Sequence, residues 1–158
     1  MNEGFSPVSV ALAAFLHHVA AFGLVASLVA EFVLLRGALT LRSARHLQIA
    51  DLAYGIAAGL VLAIGFFRVF YFEKGAAYYF HSTPFIAKVA IFGAVGLASV
   101  FPTIEFLSWS KALRQGSLPE PSAQKMRAIR AVVHWELAGL VLMILCAALM
   151  ARGVGFFG

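Results

Sequence analysis

Two groups of ionisable side chains interrupt stretches of sequence that are otherwise apolar. The first group combines imidazoles with cations and consists of His17, His18, Arg68, His81 and Lys88. An imidazole nitrogen can bind iron axially, and Arg and Lys can pair with two propionates, so these are the groups that a haem requires. A haem pocket favours aromatic walls, and five aromatic residues lie nearby in the sequence: Phe66, Phe67, Phe70, Phe80 and Phe85. With one cysteine there is no c-type attachment motif, so the group predicts a noncovalently held haem b.

The second group consists of carboxylates with one imidazole: Glu31, Asp51, Glu105, His134 and Glu136. Each carboxylate belongs to a different apolar stretch and lies five or six residues from a basic residue. At 1.5 Å per residue, all four would lie roughly 8 to 9 Å inside the boundary that those basic residues mark. Four carboxylates at one level repel one another unless cations neutralise them, as in ferritin-like di-metal sites. The group therefore predicts a second metal site, for iron, zinc or copper, or a proton path.

Both groups have structural alternatives that stay open. The histidines could hydrogen-bond across helices, while Arg68 and Lys88 extend to lipid phosphates. The acids could pair with Arg or Lys from the boundary or stay protonated. The Glu-x-x-His spacing of ferritin-like sites is also absent, because His134 and Glu136 are two residues apart and diverge on a helix.

The adjacent histidines cannot both face one pocket, because neighbouring helical residues point about 100° apart. His17 shares a helix face with Leu28 and Glu31, so that face links the two groups and His17 is favoured as the iron ligand. The second axial ligand stays open among Lys88, His81, Met143 and His18.

The elements that must position these groups are transmembrane helices. Of the 158 residues, 62% are hydrophobic and 12% charged, and the mean hydropathy is +0.91. Apolar stretches at about 8–35, 47–72, 84–109 and 130–151 are each long enough to cross a bilayer. We therefore predict an all-α fold in which residues 1–158 form one transmembrane domain, a four-helix bundle. A soluble nucleic-acid-binding protein is excluded, because the basic residues flank the apolar stretches.

The distribution of Lys and Arg predicts the orientation of the bundle. Most of these residues lie in or beside the first and third links: Arg36, Arg42, Arg45, Lys111, Arg114, Lys125, Arg127 and Arg130. The positive-inside rule places these links in the cytoplasm. The N-terminus, the second link and the C-terminus are then expected on the outer side.

With these residues in view, the chain resembles a bacterial family of small integral-membrane proteins of unassigned function. The segments that carry the resemblance are FLHHVAAFG, GFFRVFYFEKGAAYYF, PFIAKVAIFG, FPTIEFL and HWELAGLVLM. The resemblance implies a multi-pass protein of the bacterial inner membrane.

More distantly, the chain is similar to the HemJ-type protoporphyrinogen oxidases. The parallels are a first-helix histidine at His17 or His18, Arg68 at the end of the second helix, Pro84-x-x-x-Lys88 and an Arg-led last helix with Glu136. The similarity implies haem b, an oxidoreductase activity, and a functional pair formed by the histidine and the lysine. The family's Asn-Glu-x-Pro motif is absent, since Trp135 precedes Glu136 here.

The leading hypothesis is a membrane haem b protein with a redox task and a second metal or proton site. Metal-ion transport, in the manner of small copper-resistance membrane proteins, is the first alternative, and an accessory subunit of a membrane complex is another. We expect membrane lipid to surround the helices. A quinone, a porphyrinogen, a cytochrome and a second copy of the chain are candidate partners.

Overall fold

Four long helices make up most of the chain, as seen in a computed structural model that describes residues 5–72 and 76–157. Helix α1 spans Pro7–Arg36 and α2 spans Leu41–Phe67, which continues as one π-helical turn, Arg68–Phe72. A short helix α3, Ala76–Phe80, precedes α4, Thr83–Ser108, and a short α5, Ser110–Arg114, follows it. Helix α6 spans Ala123–Ala151. The four segments built on α1, α2, α4 and α6 are long and apolar enough to cross a membrane, which confirms the predicted all-α four-helix bundle.

Helices α2 and α6 begin at polar capping residues, several residues before their apolar stretches. The Thr40 side chain accepts a hydrogen bond from the Ser43 backbone N–H, and Ser122 accepts one from Lys125. As a result, α2 begins at residue 41 instead of 47, and α6 begins at residue 123 instead of 130. Hydropathy does not detect these first turns, because they are basic and helical at once.

The first and last residues that the structure describes lie at one end of the bundle, together with the described residues that flank 73–75. The Thr83 N–H donates to the Gly155 carbonyl, and the Phe157 N–H donates to the His81 carbonyl. The ring of Phe5 lies 4.6 Å from that of Phe72, centroid to centroid. We call this the terminal end and the opposite one, which carries residues 37–40 and 115–122, the basic end. The side of the membrane on which each end lies stays a prediction.

Packing is uneven along the bundle. Helices α1 and α2 form one closely packed pair and α4 and α6 another, and the pairs meet through narrower α1–α6 and α2–α4 contacts. The largest fully buried apolar side chains, including Phe106, Leu28, Leu47 and Ile129, belong to the half nearer the basic end. Many other apolar side chains face outward, as helices surrounded by lipid require.

Candidate functional site

A pocket in the half nearer the terminal end brings together three residues of the imidazole–cation group. His17 from α1, Arg68 from the π-helical turn and Lys88 from α4 all line a cavity of about 180 Å³. Its other walls are apolar and aromatic and include Phe66, Tyr79, Phe85, Phe92 and Met150. We call this cavity the His17 pocket.

The His17 ring lies against α2 at a position where that helix has no side chain. A Cβ placed on Gly65 would stand 3.2 Å from His17 Cε1 and 3.6 Å from Nδ1. His17 Nδ1 is buried and has no hydrogen-bond partner within residues 5–72 and 76–157. A buried polar atom without a partner is costly, so this nitrogen is well suited to accept or bind a further group.

His18 occupies a different environment, as the rotation between adjacent helical residues requires. Its side chain is exposed, and Nδ1 lies 2.6 Å from the backbone oxygen of Ala14 on the same helix. The structure therefore places His17, and not His18, in the pocket.

The remaining members of the first group are distributed unevenly. Arg68 and Lys88 are half-buried at the pocket wall. His81 is exposed, and its ring lies 5.7 Å from that of Phe157, outside the pocket lining. Of the aromatic residues expected around a haem, Phe66 and Phe85 line the pocket, whereas Phe67, Phe70 and Phe80 face outward.

The polar groups of the pocket suit a haem, but the pocket would enclose a haem only in part. The buried imidazole nitrogen suits iron, and the two cations suit propionates. The cavity is smaller than the roughly 300 to 1,000 Å³ typical of small-molecule sites. Its wall includes Leu62 and Val89, which are substantially exposed, so part of a bound macrocycle would extend past them towards the lipid.

Three of the four predicted carboxylates meet in the half nearer the basic end. Glu31, Asp51 and Glu136 are 1%, 7% and 1% exposed, and they lie within electrostatic range of one another and of Tyr54. Asp51 Oδ1 accepts a 2.7 Å hydrogen bond from Thr103 Oγ1. One oxygen of Glu31 and one of Glu136 have no hydrogen-bond partner among the described residues. We call Glu31, Asp51 and Glu136 the carboxylate cluster.

Glu105 and His134 do not join the cluster. Lys125 Nζ donates a 2.7 Å charge-assisted hydrogen bond to Glu105, which also accepts one from Trp109 Nε1 at 3.3 Å. Pairing with a boundary lysine therefore accounts for Glu105. His134 is exposed, with its ring 6.1 Å from that of Phe32. Within residues 5–72 and 76–157, no three His, Cys, Asp or Glu side chains are arranged to hold a metal ion.

Two arginines in the half nearer the basic end bind backbone carbonyls instead of carboxylates. Arg130 Nε donates to the Leu35 carbonyl at 2.7 Å, and Arg45 Nη2 donates to the Leu113 carbonyl at 3.2 Å. Both acceptors lie in the last turn of a helix, where carbonyls have no intrahelical partner. In the described part of the chain, no ion pair reaches Glu31, Asp51 or Glu136.

Sequence reasoning missed part of the pocket wall. Tyr79 comes from the short helix α3 and Met150 from the end of α6, and no spacing in the sequence relates either residue to His17. Gly65 is also new, although a glycine in a transmembrane helix is a sequence signal for the close approach of a neighbouring helix.

Comparison with known proteins gives a family and no closer relative. No curated protein and no solved structure matches the chain. The similarity to HemJ-type oxidases therefore stays a prediction. Residues 9–155 match the family DUF2214, described as "Predicted membrane protein". Because the match covers nearly the whole chain, which contains four helices able to cross a membrane, the protein belongs to this family of membrane proteins.

Proposed function

We propose that this protein binds haem b in the His17 pocket and takes part in electron transfer within the membrane. The observation that carries the proposal is the convergence of His17, Arg68 and Lys88 on one cavity with aromatic walls. Each of the three comes from a different segment of the chain, so local sequence alone would not bring them together.

Each pocket residue has a definite task in this proposal. His17 provides an axial nitrogen, while Arg68 and Lys88 balance the negative charge of propionates. Phe66, Tyr79 and Phe85 provide apolar surface that keeps water away. When bound, the haem supplies one-electron redox chemistry.

The electron partner belongs to a class of membrane-soluble or membrane-bound donors. A quinol, a porphyrinogen or a cytochrome each meets this description. The similarity to HemJ-type proteins favours a porphyrinogen as the donor, with a quinone or a cytochrome accepting the electrons that pass through the haem. Oxidation of protoporphyrinogen is thus the specific reaction to test once a haem is found.

A reduced-minus-oxidised visible spectrum of the purified protein from haem-replete cells tests this proposal. We expect Soret, α and β bands that are lost in His17→Ala and retained in His18→Ala. The second variant is a matched control, because His18 is the neighbouring histidine and faces away from the pocket. A folded, colourless wild-type protein would contradict the proposal, as would equal haem loss in the two variants.

Cation or proton handling by the carboxylate cluster is a second candidate function. It is favoured by the unpartnered, buried oxygens of Glu31 and Glu136, because uncompensated negative charges within a membrane are expensive. The three carboxylates of the described residues are not arranged as a metal site, so a cation would have to draw them together. Their oxygens suit hard cations such as magnesium or manganese. The sequence suggested iron, zinc or copper, which bind more tightly when an imidazole is among the ligands. His134 lies outside the cluster, so these metals are less well matched to it.

Metal analysis and infrared spectroscopy distinguish the two forms of this second function. A bound cation predicts near-stoichiometric metal that is lost in Glu136→Gln and kept in Glu105→Gln, because Glu105 pairs with Lys125. Protonation predicts no metal and a carboxylic-acid carbonyl band that disappears in Glu136→Gln. If neither signal depends on Glu136, the cluster has no such function.

A further inference from the structure

A groove between the end of α1 and the beginning of α6 carries two arginines on an otherwise apolar lining. It encloses about 420 Å³, and Phe32, Leu35 and Val133 form part of its wall. Arg36 and Arg130 both line it, and we call it the Arg36–Arg130 groove. It lies near the basic end, away from the His17 pocket, and its exposed residues Arg36, Arg130 and Trp135 open it to the outside of the bundle.

Packing contacts orient both guanidinium groups. The Arg36 guanidinium carbon lies 4.3 Å from the centroid of the Phe32 ring, within cation–π distance. Arg130 donates its Nε–H to the Leu35 carbonyl at 2.7 Å. Since a guanidinium has five N–H donors, that bond leaves the four donors of the terminal nitrogens for another acceptor.

No carboxylate of the described residues forms an ion pair with either arginine. The groove therefore presents two positive charges to an acceptor from outside the chain. Arg binds phosphate well, because its planar donors match two phosphate oxygens at once.

The surroundings of the groove favour a lipid as the source of that phosphate. Trp135 lines the groove and is 74% exposed, as is typical of tryptophans at the level of lipid headgroups. The apolar wall beside the arginines offers a surface for an acyl chain. Basic pockets between transmembrane helices are known to bind anionic headgroups.

We propose that the Arg36–Arg130 groove binds an anionic phospholipid, with the headgroup phosphate at the two guanidinium groups and an acyl chain along Phe32 and Val133. This binding is separate from the proposed haem function and does not depend on it.

Titration of the detergent-purified protein with phosphatidylglycerol, followed by native mass spectrometry, tests the proposal. A basic residue near an anionic lipid contributes about fivefold to binding, so losing both arginines should weaken it roughly 25-fold. We therefore measure the single variant Arg36→Gln and a double variant that carries both Arg36→Gln and Arg130→Gln. The control is Arg114→Gln, which removes one exposed charge from α5, a helix that packs on α2 and α4 and does not line the groove.

The expected result is a progressive loss of phosphatidylglycerol binding in the groove variants and a change below twofold in Arg114→Gln. Equal loss in Arg114→Gln would overturn the proposal, because it would indicate general charge attraction. Equal affinity for phosphatidylcholine would also overturn it. If inorganic phosphate displaced the lipid at equal concentration, or a protein copurified on this surface in place of lipid, the lipid assignment would be wrong. Arg36→Gln keeps the test valid if the double variant fails to fold, since Arg36 contacts only the Phe32 ring in the interactions described above.

Discussion

The contact between His17 and Gly65 can be tested by adding a single methyl group to α2. In Gly65→Ala, the new Cβ would stand 3.2 Å from His17 Cε1, so the imidazole would have to move by a few tenths of an ångström. Overpacking costs about 1 to 3 kcal/mol, and the cavity beside the ring should keep the cost near about 1 kcal/mol. Replacing a helical glycine by alanine gains about 0.5 to 1 kcal/mol, so the net change in unfolding free energy should be close to zero.

Gly59→Ala is the matched control for this prediction. Gly59 is in the same helix, and nothing lies within 4 Å of a Cβ placed there, so this variant should show the full gain of about 0.5 to 1 kcal/mol. The two variants should therefore differ by about 1 kcal/mol, and adding His17→Ala should remove the difference. Reversible unfolding in mixed micelles, arranged as a double-mutant cycle, measures these quantities. A coupling energy indistinguishable from zero would refute the contact.

Three further substitutions test the packing of the bundle. Lys125→Met should lower the unfolding free energy by about 1 to 2 kcal/mol, because it leaves the mostly buried Glu105 without its cation, although Lys125 itself is about half exposed. Gly139→Ala should cost about 1 to 3 kcal/mol, since its Cβ would stand 2.6 Å from Val95 Cγ2 at the α4–α6 contact. Glu136→Gln should leave stability unchanged or raise it, because it removes a buried acid whose Oε1 has no partner among the described residues. Chemical unfolding in micelles measures all three.

Each of these substitutions has a counterpart that should behave differently. Lys111→Met removes an exposed lysine of α5 that forms no ion pair among the described residues, so a loss as large as that of Lys125→Met would contradict the Glu105 pairing. Gly96→Ala adds a methyl group where nothing lies within 4 Å, so it should not destabilise the protein. A marked loss of stability in Glu136→Gln would show that the carboxylate has a stabilising partner, such as a bound cation.

The sequence predicted the levels of the carboxylates better than their partners. Counting residues from the basic boundary placed Glu31, Asp51 and Glu136 at one depth, and they lie within electrostatic range of one another. The same count could not distinguish Glu105 from the other three acids, because Glu105 is neutralised by Lys125. Lys125 lies in the first turn of α6, which begins before the apolar stretch and so escaped the hydropathy pattern.

For the imidazole–cation group, too, the sequence predicted some members of the site and missed others. The rotation between adjacent helical residues was enough to favour His17 over His18, and the positions of Arg68 and Lys88 at the same level followed from helix length. The contribution of Tyr79 depends on how the α2–α4 link folds back over the bundle, which no local pattern determines. Tertiary packing thus completes a site whose polar members the sequence already indicated.

The division of the bundle into two closely packed hairpins, α1 with α2 and α4 with α6, has a consequence for ligand linkage. The first hairpin supplies His17 to the pocket and Glu31 to the carboxylate cluster, while the second supplies Lys88 and Glu136. Any group bound at either site would bridge the two hairpins and oppose their separation, by a free energy that grows with the logarithm of its concentration divided by its Kd. Small sliding of one hairpin against the other would change both sites together, while the interior of each hairpin stays intact.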